Sequence, residues 1–333
     1  MEDKEVLISI IMPVRNGIPY FKECITSIIN QSFSDWELII VNDHSTDETY
    51  NQALDFQKID RRIRTVNNNG KGITPALITG YQLSGGKYIT RMDADDIMPA
   101  DKLKLMYSAI IKHPNKVITG KVEYFKKGGV QEGYLKYQHW LNSLMDCNTH
   151  YQQIYKECVI PSPAWMVERS VFDSIGGFNS TQYPEDYDLT FRMYKHSIQI
   201  YGLTETIHLW RDHDSRASRT DDNYTDNRFL DIKVNYFLEL ETDGKAIVLI
   251  GAGKKGKAIA QLLKESNSQF VWYTNNSKKI GHDIYGVVVQ DIQTIVDSTR
   301  DICVIVAIAN EEDKLEIQNL TKSKSNITLF PFA

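Results

Sequence analysis

Residues 87–96 have the sequence KYITRMDADD, an apolar run that stops at a cluster of acids. Asp93, Asp95 and Asp96 would repel one another on a tight turn unless a cation or hydrogen-bond donors compensate their charge. Hard divalent cations prefer oxygen ligands, and Mg²⁺ commonly binds one or two protein carboxylates together with substrate phosphates. A metal-bridged diphosphate is one interpretation of the cluster, and a helix N-terminus that favours acids is the other.

Outward from this stretch, predicted strands alternate with predicted helices. Further strands are expected near residues 6–14, 36–41 and 64–66, each followed by a helical pattern. This alternation predicts a parallel sheet with short crossovers, and ligands bind such sheets at the carboxyl ends of the strands. Asp43 follows one of these strands and the acidic cluster follows another, so both are candidates for a binding site.

The pattern changes twice further along the chain. Residues 120–240 are less regular and rich in aromatic residues, with a helix predicted from Glu185. A new α/β unit then begins after Gly244. We therefore predict a first domain over residues 1–224, a helical linker over 225–243 and a small second domain over 244–333.

The composition is that of a globular protein and excludes several functional classes. The 333 residues are 42% hydrophobic and 24% charged, and the net charge of −5 argues against a broad nucleic-acid surface. Neither a signal peptide nor an apolar run of the ~18 residues that span a bilayer is visible, so we expect a cytoplasmic protein. The cysteines lack zinc-site spacing and are expected as reduced thiols: Cys24, Cys147, Cys158 and Cys303.

Several short motifs occur in a fixed order: SIIMPVRN (9–16), ELIIVNDHSTD (37–47), GKYITRMDADD (86–96), IGGF (175–178), EDYDL (185–189) and WRDH (210–213). Together they resemble family 2 of the inverting glycosyltransferases, over about residues 6–220. The resemblance implies a GT-A-type mixed, mainly parallel sheet flanked by helices, which makes the first domain the catalytic domain. The small C-terminal domain is expected to be Rossmann-like α/β.

The resemblance also implies roles for individual residues. Asp95 is similar to the metal ligand of the family, and His213 to a histidine that completes the metal shell in some relatives. Asp186 resembles the catalytic base, which takes the proton of the acceptor hydroxyl during inverting transfer. The implied nucleotide-sugar-binding residues are Pro13, Val14, Arg15, Asn16, Asp43, Lys71, Asp93, Ala94, Asp95, Glu185, Arg211 and Arg216.

Each assignment has a simpler alternative. Asp43 could only cap the following helix, and Asp186 could be a first-turn helix acid with Glu185 equally available as the base. His213 could be a surface or core histidine. Arg216 stands where the family often has serine, and it could contact donor phosphates or pair with a neighbouring aspartate. Trp165 is a candidate acceptor platform.

The second domain contains Gly251-Ala252-Gly253-Lys254-Lys255-Gly256 between a predicted strand and a predicted helix, the order of a dinucleotide-binding turn. The next strand ends in Tyr273-Thr274-Asn275-Asn276, without the acid that would hold a ribose. The unit resembles small Rossmann-like domains fused to bacterial polysaccharide enzymes. A structural or oligomerising role is therefore expected.

The resulting hypothesis is an inverting transfer of sugar from a nucleotide donor, UDP-sugar, to a hydroxyl of a glycan or lipid-linked acceptor in bacterial surface-polysaccharide assembly. Mn²⁺ or Mg²⁺ would be the cofactor, nucleic acid is excluded, and both peripheral membrane contact and a homo-oligomer remain open. One alternative is a non-catalytic nucleotide-binding or scaffold protein. Another is an NAD-binding oxidoreductase that works through the C-terminal domain.

Overall fold

The computed structural model describes residues 6–179, 183–214, 216, 229–295, 301–322 and 324–333. The chain splits into two compact units. Unit 1 comprises Met1–His150 and Val159–Arg216, and unit 2 comprises Tyr151–Cys158 and Ala217–Ala333. The domain boundaries predicted at residues 224 and 243 stay predictions.

Within the described residues, unit 1 is built on a seven-stranded sheet of order β3-β2-β1-β4-β6-β5-β7. Strand β6 is antiparallel to both of its neighbours, and the other pairs are parallel. The strands are β1 Ile8–Val14, β2 Trp36–Asn42, β3 Ile63–Asn67, β4 Tyr88–Arg91, β5 Val117–Phe125, β6 Trp165–Glu168 and β7 Ile200–Arg211. The predicted mixed, mainly parallel α/β sheet is therefore confirmed.

Helices flank this sheet and bury apolar stripes against it. In the first helix the buried residues Phe21, Cys24, Ile25 and Ile28 recur at helical spacing, so one face packs on the core. The helices of unit 1 in the described residues are α1 Phe21–Ile29, α2 Thr49–Ile59, α3 Ile73–Gln82, α4 Lys102–Lys112, α5 Glu132–Cys147, α6 Arg169–Ser174 and α7 Glu185–Lys195.

Unit 2 contains a second sheet of order β12-β9-β8-β13-β14, in which every described pair is parallel. Its strands are β8 Ala246–Ile250, β9 Phe270–Thr274, β12 Gln290–Asp291, β13 Ile302–Val306 and β14 Ile327–Pro331, and β10 Asp283–Ile284 pairs separately with β11 Val287–Val288. The described helices are α8 Leu230–Leu240, α9 Lys254–Glu265 and α10 Glu311–Thr321. The predicted small α/β unit is thus present, as a five-stranded sheet.

The segment Tyr151–Cys158 belongs to the core of unit 2. The Tyr155 ring stacks on Phe332 with centroids 5.3 Å apart, and its hydroxyl donates to Glu241 at 2.9 Å. Helix α8 lies in the same unit, over part of the predicted linker, and residues 225–228 of that linker lie outside the described residues.

Among the described residues, no helix combines the length and the apolar composition that crossing a bilayer requires. All four cysteines are free thiols, as expected from their spacing.

The start of β4 requires glycine at position 86. A Cβ atom there would lie 2.6 Å from the backbone nitrogen of Ser9, whereas a Cβ at Gly85 would meet only Glu37 Oε1, at 3.9 Å. Gly86→Ala should lower the free energy of unfolding by about 1–3 kcal/mol because strand backbone must move. Gly85→Ala, the matched control, should change it by less than about 1 kcal/mol. Urea denaturation measures both, and equal losses would contradict this packing.

Candidate active site

Strands β1, β2, β4 and β7 of unit 1 end at the same edge of the sheet. Strand β1 is parallel to β2 and β4, and β7 runs in the same direction because β6 is antiparallel to both β4 and β5. The segments that follow these strands begin with Arg15, Asp43, Met92 and Asp212. This edge therefore collects the first-domain motifs that the sequence singles out.

Arg91, the last residue of β4, is 3% exposed and lies beneath the acidic edge. Its Nη2 donates to Asp93 Oδ1 at 2.8 Å and its Nη1 to Glu185 Oε1 at 3.0 Å. Glu185 begins helix α7, and it is buried. One buried guanidinium therefore joins the acidic turn to the helix that carries Asp186.

Asp95 and His213 are brought together from distant parts of the chain. His213 Nε2 lies 2.8 Å from Asp95 Oδ2, and the His213 ring packs 4.7 Å from the Tyr20 ring. Burial raises the pKa of Asp95, but the hydrogen bond with His213 and the charge of Arg216 outweigh it and hold that pKa below its ordinary value. The two side chains thus form a polar pair with Asp95 ionised.

This pair fits a divalent cation in its chemistry, because it brings a carboxylate oxygen and an imidazole nitrogen, both common metal ligands, within 2.8 Å of each other. Within the described ranges, no group of three or more His, Cys, Asp or Glu residues is placed to hold a metal ion.

Asp96 turns into the core instead of toward this edge. Its Oδ2 lies 2.9 Å from His208 Nε2, and its Oδ1 accepts from the backbone N–H of Arg211 at 2.8 Å. Burial raises the pKa of Asp96, assisted by the charge of Asp95, and burial lowers the pKa of His208. Both shifts favour a neutral pair, so Asp96 ties the acidic turn to β7 and is not a metal ligand.

Arg211, the last residue of β7, and Arg216, which follows the strand, have different surroundings. Arg211 Nε donates to the backbone oxygen of Asp95 at 2.8 Å, and its Nη2 to Glu23 at 2.6 Å, so its guanidinium holds the acidic turn in place. The Arg216 guanidinium lies over the rings of Tyr124 and Trp210, at 5.3 and 5.4 Å from the centroids. The charges of Tyr124 and the acidic turn raise the Arg216 pKa against the opposing effect of burial.

Asp43 organises the loop that follows β3. Its carboxylate accepts from Asn68 Nδ2 at 2.7 Å and from the backbone N–H of Gly72 at 3.0 Å. The N-cap of α2 is Glu48, so the alternative that Asp43 caps this helix is wrong. Lys71 is exposed beside Gly72 in this loop.

The segment after β1 packs against the loop after β2. The Asn16 side chain accepts from the backbone N–H of Thr46 at 2.8 Å. Pro13 is half-buried, Val14 is buried and Arg15 is exposed, while Ala94 is buried within the acidic turn.

Asp186 lies half-buried in the first turn of α7, with Oδ1 accepting from the backbone N–H of Tyr187 at 2.8 Å. Burial, followed by the charge of Glu185, raises the pKa of Asp186 to about 7, although Arg91 opposes the shift. Glu185 is engaged by Arg91, which leaves Asp186 the more available of the two acids.

Sequence analysis missed several buried polar residues at this edge. Lys102 is fully buried and donates to the Pro163 carbonyl oxygen at 2.6 Å, and burial lowers its pKa to about 7. Arg91 and His208, each inside an apolar strand, were detectable because charged residues are seldom fully buried without partners. Trp165 is 2% exposed and stacks on Phe172, so its predicted role as an acceptor platform is wrong.

The sheet order, the acidic turn after β4 and the helix acid at its edge define a GT-A-type protein. Residues 9–176, about half of the chain, match the family described as "Glycosyl transferase family 2". The chain belongs to glycosyl transferase family 2.

Individual relatives agree with this assignment. The chain is 25% identical over 219 residues to glycosyltransferase GlyA of Streptococcus pneumoniae, covering 64% of this chain and 31% of GlyA. It is 27% identical over 170 residues to the Escherichia coli UDP-Glc:alpha-D-GlcNAc-diphosphoundecaprenol beta-1,3-glucosyltransferase WfgD, covering 51% and 63%. The chain thus spans less than two thirds of the length of each of these relatives.

A solved structure shows the same fold. The match to residues 1–349 of S. aureus TarS in complex with UDP-GlcNAc has a TM-score of 0.53 at 18% identity, covering 79% of this chain and 73% of that one. At this identity the likeness extends to the fold alone.

The ion pairs of Arg91 with Asp93 and Glu185, which we call the Arg91 bridge, predict an effect on stability. Arg91→Met leaves two acids without their buried counter-charge, so the free energy of unfolding should fall by about 3–5 kcal/mol. Adding Glu185→Gln to that variant should recover part of the loss, and chemical denaturation of the double-mutant cycle measures the coupling. The control Lys87→Met removes the exposed partner of Glu168 and should cost less than about 1 kcal/mol. Strict additivity in the cycle would refute the bridge.

Proposed function

We propose that this chain transfers a sugar from a nucleotide donor, UDP-sugar, to an acceptor hydroxyl with inversion at the anomeric carbon. The observation that carries the proposal is the Arg91 bridge, which links the acidic turn of Asp93 and Asp95 to the helix of Asp186. A donor site and a base must be adjacent in a direct displacement, and the pairing of Arg91 with both elements supports that arrangement.

The donor would bind along the carboxyl edge of the unit 1 sheet. Pro13, Val14, Arg15, Asn16 and Asp43 are assigned to the base and ribose, beside the loop that carries Lys71. Asp93 and Ala94 are assigned to the ribose and diphosphate side. The ordered loop contacts of Asp43 and Asn16 support a preformed pocket, because their side chains already fix the surrounding backbone.

Asp95 and His213 would hold Mn²⁺ or Mg²⁺. The bound cation would neutralise the negative charge that develops on the departing diphosphate. Arg216, whose surroundings are aromatic and acidic, is assigned to the same phosphates, and Arg211 acts mainly by holding the Asp95 backbone.

Asp186 would be the catalytic base. Its carboxylate takes the proton of the acceptor hydroxyl as the acceptor oxygen bonds to the anomeric carbon and the bond to the diphosphate oxygen breaks. A pKa of about 7 suits this role, because a base works best when its pKa is near the working pH.

The acceptor is assigned to the class of glycans and lipid-linked glycans, in bacterial surface-polysaccharide assembly at the cytoplasmic face of the membrane. The likeness to WfgD, whose name describes a glucosyltransferase acting on a diphosphoundecaprenol-linked sugar, supports this class. A homo-oligomer through unit 2 is also part of the proposal. The non-catalytic alternative predicts donor binding without turnover, so the assays below separate the two.

Removal of the metal pair tests the donor site. UDP should bind the wild-type chain more tightly with Mn²⁺ than without it, and Asp95→Asn or His213→Ala should weaken the Mn²⁺-dependent binding at least about tenfold. Isothermal titration calorimetry measures this. Asp146→Asn, which alters an exposed acid paired with Lys121, is the control and should bind as the wild type does. Mn²⁺-dependent UDP binding that survives both site changes would overturn the metal assignment.

Substitution of the proposed base separates binding from chemistry. Asp186→Asn should keep UDP affinity but lower kcat by about 10²–10⁴-fold, because only the proton acceptor is lost. In the wild type, kcat/KM should rise with pH through about 7 and then level off, since the deprotonated carboxylate is the active form. Release of UDP from UDP-sugars in the presence of glycan acceptors measures both quantities.

Asp55→Asn, at an exposed acid paired with Lys58, is the control for this experiment and should leave the rate unchanged. Wild-type turnover in Asp186→Asn would exclude Asp186 as the base. If the wild type binds UDP but turns over none of the nucleotide sugars and acceptors tested, the non-catalytic alternative is favoured.

A further inference from the structure

Unit 2 has a crevice of its own at the carboxyl edge of its sheet. In the order β12-β9-β8-β13-β14, successive strands run outward from β8 in one direction and from β13 in the other. Ligands of open α/β sheets bind outside the strand ends where the order reverses in this way. A cavity of about 400 Å³ lies there, lined by residues that follow β8, β9 and β13. That volume falls within the range of small-molecule sites.

Two of the three glycines that closely follow β8, Gly251 in the turn and Gly256 in α9, are required by the packing of unit 2 itself. Gly251 has φ +108°, and a Cβ there would lie 2.9 Å from the Ala307 carbonyl oxygen. A Cβ on Gly256 would lie 1.9 Å from the Gly251 carbonyl oxygen, so only glycine lets α9 approach the strand this closely. The packing of unit 2 therefore accounts for glycine at these two positions, and no ligand is needed to explain them.

Gly253 is different. Its φ of −74° is open to any residue, and a Cβ there would meet no protein atom within 4 Å. It lies at the N-cap of the twelve-residue helix α9 and lines the cavity. Among the described residues, the backbone N–H groups of Ala252 and Gly253 take part in no hydrogen bond. Two residues whose backbone donors are available in this way therefore line the cavity.

The cavity lining is positively charged. Its charged side chains among the described residues are Lys254, Lys255 and Lys279 against the single acid Asp313. Lys279 Nζ donates to the Ala252 carbonyl oxygen, which holds an ammonium group over the glycine turn. Lys255 Nζ donates to the Phe332 carbonyl oxygen at 3.1 Å. Phosphate is the anion that such a combination of helix N-terminus and lysines recognises.

The end of β9 distinguishes this crevice from an ordinary NAD site. An acid at this point would accept from the ribose 2′-hydroxyl, but the cavity is lined here by Thr274, Asn275 and Asn276. Because these three residues carry no carboxylate, the end of β9 would not repel a phosphate on the ribose. Lys279 follows closely in the chain.

We infer that unit 2 is a second nucleotide site, which binds a nucleoside diphosphate group with its phosphates against Gly253 and between Lys254 and Lys279. The group is either free or part of a larger cofactor, and a 2′-phosphate on its ribose is tolerated. This site is separate from the donor site of unit 1 and does not depend on the function proposed for it.

Calorimetric titration of ADP into the full chain, without Mn²⁺, tests the site. We expect ADP to bind with a Kd below about 1 mM. Gly253→Val should weaken this binding at least about tenfold, because its side chain occupies the phosphate position while the backbone keeps its conformation. An unchanged melting temperature in Gly253→Val shows that the variant folds. Equal ADP affinity in that variant and the wild type would overturn the site.

Two neighbouring lysines supply a matched pair. Lys279→Gln removes a cation of the cavity and should weaken ADP binding about three- to tenfold. Lys278→Gln removes an exposed cation that does not line the cavity and should leave the affinity unchanged. Equal effects of the two changes would point to unspecific attraction and overturn the assignment.

Comparison of probes distinguishes the sources of the diphosphate and separates this proposal from the first. NADP⁺ should bind at least as tightly as NAD⁺, and a clear preference for NAD⁺ would overturn the tolerance of a 2′-phosphate. Asp95→Asn should leave ADP binding intact, whereas its loss there would place ADP in unit 1 and overturn the second site. The second site would also be overturned if none of ADP, UDP, NAD⁺ and NADP⁺ showed binding, up to about 1 mM, that depends on Gly253.

Discussion

The polar edge of unit 1 depends on the buried guanidinium of Arg91. Without Arg91, the partly buried Asp93 and the buried Glu185 would have no counter-charge between them, and a carboxylate removed from water is costly unless it is paired. With Arg91 in place, the acidic turn and the start of α7 are held together although they lie far apart in sequence. The same charge opposes the upward shift of the Asp186 pKa, so one residue shapes both the position and the ionisation of this edge.

The three acids after β4 illustrate how environment gives identical side chains different properties. Asp93 pairs with Arg91, Asp95 faces His213, and Asp96 enters the core to meet His208. Each aspartate therefore has its own partner, which offsets the repulsion between the three side chains. The inward carboxyl group also accepts from the Arg211 backbone, which fixes the end of β7 and, with it, the position of the histidine two residues later.

The strands and their polar ends could be predicted from the sequence because apolar runs stop at acids in a regular α/β alternation. The partners of those acids could not, since Arg91 and Glu185 are separated by 94 residues and Asp95 and His213 by 118. For Asp43 the sequence favoured a ligand site over a helix cap, and only the fold reveals its bonds to Asn68 and Gly72. The membership of Tyr151–Cys158 in unit 2 had no local sequence signal either, because it rests on contacts made by residues far downstream.

That short segment has a consequence for synthesis of the chain. Tyr155 leaves the ribosome with the strands of unit 1, but the ring on which it stacks belongs to Phe332. At about 5–20 residues per second, the gap between them takes roughly ten seconds or more to translate. During that interval Tyr155 lacks the ring on which it stacks, while the synthesis of the unit 1 strands is completed. Unit 2 can therefore be completed only after Phe332 has been synthesised, when it takes up a segment that lies within the sequence of unit 1.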